Sequence, residues 1–129
     1  MTSPSPYKST GGLQRIVRAF RYSMQGLGAA WRHEAAFRQE TVLAVVLIPL
    51  GLWWGHTPLE RLLLTGMVVG VLIIELLNSA IEALADAIST DHHPLLGRAK
   101  DIGSAAVLLM LMLTAATWAS ILIPRWVSA

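Results

Sequence analysis

Residues 102–124 run for twenty-three positions without a charge, and residues 62–81 run for twenty with a single one, Glu75. About 20 helical residues at 1.5 Å each cross a bilayer core of about 30 Å, so both stretches have the length of a membrane span. A third stretch, residues 41–55, is uncharged for fifteen positions. It reaches span length only if its helix starts near residue 35 and holds Arg38 and Glu40 at the interface. Composition supports the class. The chain is 54% hydrophobic and 14% charged, with mean hydropathy +0.56, whereas soluble domains carry roughly a quarter charged residues. The expected fold is an all-α membrane protein with an N-terminal amphipathic surface helix and three transmembrane helices.

The pattern divides the chain into a disordered N-terminus at 1–12, an interfacial helix at 13–33 and spans at 35–55, 59–90 and 98–124. A loop at 91–97 joins the last two. The N-terminus, rich in Ser, Pro, Gly and Thr, has the composition of a disordered segment, and it lacks the apolar core of a secretory signal. With no cysteine, disulfides, thiolate metal sites and cysteine nucleophiles are excluded. Lys8, Arg15, Arg18, Arg21, Arg32 and Arg38 precede the first span, and Arg98 and Lys100 follow the second. Only Arg61 and Arg125 lie on the other side. By the positive-inside rule the N-terminus and the second loop are cytoplasmic. Trp53, Trp54, Trp118 and Trp126 lie toward span ends, where an aromatic belt is expected.

One line on the second span is polar. At 100° per residue, Glu75, Asn78, Ser79, Glu82 and Asp86 share a stripe, with Glu82 and Asp86 each about 20° from the line of Glu75. A carboxylate at membrane depth costs several kcal/mol unless it faces a bundle, a metal or a substrate. Three on one line point to a site.

Other residues converge on the cytoplasmic side. Leu13, Ile16, Val17, Phe20, Met24, Leu27 and Trp31 recur at helical spacing, opposite Arg15, Arg18 and Arg21, the pattern of a helix lying among headgroups. From it, Arg15 and Tyr22 are placed to reach a phosphate or substrate. Glu34 and Glu40 flank the entry to the first span. Both suit solvated partners of Arg32 and Arg38, but Glu34 also lies near the depth at which Glu82 emerges. Two carboxylates from different helices suit Mg²⁺, which takes oxygen ligands and bridges to substrate phosphates. In the second loop Pro94 and Gly97 break the helix, and Arg98, Lys100 and Asp101 crowd the next helix start, a setting that attracts anions. The His92–His93 pair is weak evidence for a metal. Small residues, including Gly66 and Gly70, permit close helix contacts. Three spans enclose little polar volume, so an oligomer is expected.

Carboxylates for Mg²⁺, a cationic clamp and a base for an acceptor hydroxyl are the parts of phosphoryl transfer. No P-loop and no kinase glycine-rich loop accompany them. On the residues alone, an enzyme with an acidic site at the cytoplasmic face and a small proton-coupled oligomeric transporter stand nearly level.

The strings EAAFRQE (34–40), ELLNSAIEALADAI (75–88) and GRAKDIGSAAVLL (97–109) resemble the prokaryotic diacylglycerol kinase family. Three motifs in the family's order and spacing, over roughly 12–126, make the resemblance specific. It implies a homotrimer in the cytoplasmic (inner) membrane that uses MgATP to phosphorylate diacylglycerol to phosphatidic acid. The expected partners are ATP, the lipid substrate, the bilayer and further copies of the chain, with no nucleic acid. The expected cofactor is Mg²⁺. A sister branch acts on undecaprenol. NSAIE and GRAKDIGSAAV look closer to the diacylglycerol branch, and the acceptor is assigned by this resemblance alone.

The resemblance also implies roles. Glu75 matches the general base, a task suited to a desolvated carboxylate. Glu34 and Glu82 match the metal ligands, which also meet the nucleotide, and Asn78 matches a positioning residue. Lys100, Asp101 and the loop residues Asp91, His92 and His93 match nucleotide contacts, with Arg15 and Tyr22 near the phosphates and base. The lipid-facing side matches Arg15, Phe20, Arg21, Ser23, Met24, Gly28, Ala29, Ala30, Trp31, Ala36, Phe37, Arg38, Gln39, Glu40 and Ser104, together with Glu75. Asp86 stays open between nucleotide contact and interfacial charge. The chain departs from the family's pattern at Ala85 (usually valine), at Met24 (an interfacial tryptophan) and at Asp91-His-His-Pro (an aromatic–His–Glu run).

Overall fold

The structure, a computed structural model, describes residues 11–128. The described chain folds into four helices: α1 (Gly12–His33), α2 (Ala35–Trp54), α3 (Pro58–Ile88) and α4 (Pro94–Val127). The last three are long and apolar enough to cross a membrane. Helices are the form such segments must take, because hydrocarbon offers the backbone no partners other than its own. Of the disordered segment expected at 1–12, all but Gly11 and Gly12 lies outside the described residues, and Gly12 already begins α1.

One residue separates α1 from α2. Glu34 is extended (φ −117°, ψ 107°) and caps the end of one helix and the start of the next. Its N–H donates to the Ala30 carbonyl at 2.9 Å, and its own carbonyl accepts from the Arg38 N–H at 3.2 Å. The direction of the surface helix therefore turns on a single pair of backbone dihedrals.

The start of α3 is built by sequence-local chemistry. Thr57 accepts from the Glu60 N–H at 3.1 Å, and Glu60 accepts from the N–H groups of His56 and Thr57 at 2.7 and 3.4 Å, a reciprocal capping box ahead of Pro58. The loop expected at 91–97 is shorter than that. Pro94 starts α4 rather than interrupting it, because a first-turn proline forgoes an N–H that has no helical partner and brings a suitable φ. His93 is the cap, its Nδ1 accepting from the Leu95 N–H at 3.2 Å. Gly97 is helical, donating to the His93 carbonyl at 2.9 Å.

α3 lies between α2 and α4 and packs against both, whereas α1 makes far less contact, with α2 and α3. Leu64, Val68 and Val71 form the buried seam of α3. Of the small pair expected to bring helices close, Gly70 meets Met110 and Gly66 meets nothing. Near the α2–α3 turn the packing is polar and aromatic. Arg125 donates to both oxygens of Glu60 at 2.8 and 3.0 Å and to the Trp54 carbonyl at 2.7 Å. Trp118 Nε1 donates to the Leu64 carbonyl at 2.9 Å. Trp54 stands edge-on to Trp118 and to Trp126, with centroids 6.4 and 5.4 Å apart. Three tryptophans expected in an aromatic belt thus form one cluster within the chain, while Trp53 is fully outward.

Candidate active site

The buried seam of α3 continues past Val71 with a change of chemistry. Leu64, Val68 and Val71 give way at the same helical spacing to Glu75, Asn78 and Ser79, which are 4%, 7% and 7% exposed. Glu82 is half-buried and Asp86 exposed, so the stripe runs from the protein interior to the surface. At 1.5 Å per residue, Glu82 lies about 10 Å and Asp86 about 16 Å along the axis from Glu75.

Other elements bring acids to this seam. The Glu75 carboxylate lies within Coulombic range of those of Glu34, Glu40 and Glu82. One comes from the α1–α2 joint, one from the second turn of α2 and two from α3. Glu34 makes no side-chain capping bond, and one oxygen of Glu40 is enclosed without a partner. Asn78 Nδ2 donates to Glu82 Oε1 at 3.4 Å, while its Oδ1 is enclosed against Gly103 of α4. The side chain of Asn78 therefore sits between Glu82 and a helix that approaches closely because residue 103 has no Cβ.

Between α1 and α3 lies a pocket of about 620 Å³. Leu27, Ala29 and Ala30 form one wall, Leu76, Ser79, Ala80 and Ala83 the other, with Ser23, Gly26, His33 and Glu34 completing it. The lining is hydrocarbon apart from Ser23, His33, Glu34 and Ser79. The Ser23 hydroxyl is used by the Ala19 carbonyl at 2.9 Å, and the Ser79 hydroxyl is enclosed with no partner.

Divalent cation chemistry fits Glu34 and Glu82. Both are hard oxygen donors, Glu34 carries no capping bond, and Glu82 has one long one. Among the described residues no three His, Asp or Glu side chains come together as a cage. A carboxylate pair instead leaves coordination to water and phosphate, as Mg²⁺ sites commonly do.

The remaining site residues divide by location. Of those expected on the lipid-facing side, Ser23, Ala29 and Ala30 line the pocket. Gly28 lies half-buried beside it, and Trp31, Ala36, Gln39 and Ser104 are exposed. Phe37 is 4% exposed and packs in the core, on the face that α2 turns into the bundle. Arg38 is engaged with backbone, its Nη1 donating to the carbonyls of Trp31 at 2.9 Å and Arg32 at 3.2 Å. Arg15, Phe20, Arg21, Tyr22 and Met24 are exposed on α1, and none lines the pocket. At the other mouth Lys100 Nζ holds Asp86 Oδ1 at 2.6 Å, both side chains partly exposed. Asp91, His92 and Asp101 are exposed; the Asp91 N–H donates to Ser89 Oγ at 3.1 Å. Sequence reasoning did not single out Gly26, His33, Leu76, Ala80 and Ala83 as site residues. Small residues at 80 and 83, one turn from the stripe, were the available sign of a wall that something must approach.

Residues 21–122 match the family model described as prokaryotic diacylglycerol kinase. The diacylglycerol kinase of Pseudomonas aeruginosa is 50% identical over 121 residues, covering 94% of this chain and 98% of that protein. That of Escherichia coli K12 is 46% identical over 114 residues, covering 88% and 93%. That of Haemophilus influenzae is 46% identical over 116 residues, covering 90% and 98%.

Proposed function

The chain belongs to the prokaryotic diacylglycerol kinase family, and from that premise we propose that it transfers the γ-phosphoryl group of ATP to the free hydroxyl of 1,2-diacylglycerol. The products are phosphatidic acid and ADP. The observation that carries the reading is the junction of an apolar pocket with a group of acids. Hydrocarbon walls suit acyl chains, and Glu34, the carboxylate in the lining, lies within Coulombic range of Glu75, acids suited to a metal-bound triphosphate and a hydroxyl.

Glu75 is the general base. Buried on the seam, it takes the proton of the acceptor hydroxyl as that oxygen bonds to the γ-phosphorus. The bond from phosphorus to the β,γ-bridging oxygen breaks, and ADP carries away the electron pair. Glu34 and Glu82 would hold Mg²⁺, and Asn78 orients Glu82 through its amide. Bound there, the cation would supply neutralisation of charge on the phosphate oxygens. Lys100 and Asp101, with Asp91, His92 and His93, contact the nucleotide. Ser23, Gly28, Ala29, Ala30 and Trp31 border the lipid, with Ala36, Gln39, Glu40 and Ser104 on the same side.

A homotrimer with shared sites is part of the proposal. Its support is that Arg15 and Tyr22 stand exposed and outside the chain's own pocket, and that 6% of the most apolar window of α4 is buried within one chain. The basic residues before α2 and after α3 favour a topology with the acids at the cytoplasmic face of the inner membrane, where ATP is. The undecaprenol reading shares every step, and the diacylglycerol names of the relatives favour the glycerolipid.

The test uses purified protein in mixed micelles with radiolabelled ATP, Mg²⁺ and either lipid. Label is expected in phosphatidic acid, and Glu75→Gln is expected to abolish turnover while leaving ATP binding largely intact. Failure to label either lipid refutes the kinase, and normal turnover by the variant refutes the base.

A further inference from the structure

Within one chain the surface helix is held in place by very little. Residues 12–27 of α1 are exposed throughout, and Ala30 is the one buried residue of that helix. Packing against the chain's own bundle therefore does little to set its direction. The joint at Glu34 is one extended residue without a side-chain cap, free to rotate about two dihedrals unless something crosses it.

Arg38 crosses it. Its backbone belongs to the first turn of α2 beside the buried Phe37, while its guanidinium reaches back past Glu34 to the carbonyls of Trp31 and Arg32. Those carbonyls lie in the last turn of α1, where helical partners run out and the helix dipole is negative. A cation there makes charge-assisted bonds in the direction the helix end favours. We propose that Arg38 is a positioning residue: by clamping the end of α1 it fixes the angle of the surface helix, and with it the place of Glu34 and the width of the lipid pocket.

The geometry gives that angle a consequence. Leu27 and Ala30 on α1 face Leu76 and Ser79 on α3 across the pocket, and Glu34 stands at the hinge. Rotation at residue 34 opens or closes the two walls and swings the carboxylate together with them. The inference rests on the reading of this pocket as the diacylglycerol seat. It assigns Arg38 an action through backbone rather than through contact with the lipid.

Absence of cysteine allows spin labels to be placed at will. A pair at Val17 and Leu84, both exposed and both outside the pocket, reports the distance between α1 and α3. The full chain, diluted with unlabelled copies in nanodiscs free of diacylglycerol, is measured by double electron–electron resonance. Arg38→Met, which keeps the stem and loses the donors, is expected to shift and broaden the distance distribution. Arg38→Lys, which keeps the charge, is expected to restore part of it. In the same variants without labels, KM for diacylglycerol is expected to rise about tenfold in Arg38→Met as the pocket changes width, with kcat falling as well because Glu34 moves with the joint. An unchanged distance in both variants overturns the proposal, and a raised KM alongside it identifies direct lipid contact instead. A shifted distance with unchanged KM overturns it as well. If Arg38→Met does not fold, Arg38→Lys decides both readouts. If the parent chain phosphorylates no lipid, the functional reading fails while the distance still decides the joint.

Discussion

Adding one methyl group to α4, in Gly103→Ala, is expected to damage the site through a residue on α3. A Cβ at position 103 falls against Asn78 Oδ1, inside the approach that real Cβ atoms make, with Asn78 Cγ at 3.4 Å and Ile81 Cδ1 at 3.7 Å. Asn78 is 7% exposed and has little room to swing. Relief requires either parting α3 from α4 or turning the amide away from Glu82. Overpacking of this kind costs about 1–3 kcal/mol, and the better helix propensity of alanine returns about 1 kcal/mol. The net loss is about 1 kcal/mol, with a larger fall in kcat if Glu82 loses its orienting bond.

Gly70→Ala is the internal control. There the new Cβ meets the terminal methyl of Met110, the mobile end of a flexible side chain. The propensity gain survives, and the variant is expected to be neutral or up to about 1 kcal/mol more stable. The assay is reversible unfolding in mixed micelles followed by tryptophan fluorescence, run as a double-mutant cycle with Asn78→Ala. Removing the amide removes the clash, so a coupling of about 1–2 kcal/mol is expected between positions 78 and 103. Additive single effects, or Gly103→Ala as stable as Gly70→Ala, would refute the argument.

Two further outcomes follow from other contacts. Thr57→Ala removes the hydroxyl that receives the Glu60 N–H and is expected to cost about 1 kcal/mol in the same unfolding assay, with kcat unchanged because the cap lies at the far end of α3 from the acids. At the other end, Lys100→Met is expected to raise KM for MgATP at least about tenfold, whereas Asp86→Asn shifts it less than about threefold, since a partly exposed pair contributes little. Equal effects of the two variants would assign Asp86 to the nucleotide as well.

Much of this architecture follows from one-dimensional pattern. Apolar run lengths define three spans, and the 3.6-residue period puts Glu75, Asn78, Ser79, Glu82 and Asp86 on one face whatever surrounds them. The capping box at Thr57 and the surface helix with its arginines also depend on residues no more than a few turns apart. Helix starts next to proline were less accessible, because the same residue that ends one helix suits the first turn of another. Position 94 takes the second role.

What lies across helices had no such signature. Arg38 reads equally well as an interfacial charge or a lipid contact, and its engagement with the carbonyls of α1 depends on the chain bending at a single residue. The pairing of Lys100 with Asp86, the pressing of Asn78 against Gly103 and the clustering of Trp54 with Trp118 and Trp126 depend on how far one helix slides along another. By itself the sequence determined that this chain is a set of membrane helices with an acidic stripe, since helical periodicity is a local property of the backbone. Only the tertiary structure decided which acids come near one another, where the pocket opens and which side chain spans the joint. Those outcomes follow from interhelical register, which side-chain packing sets over the whole bundle at once.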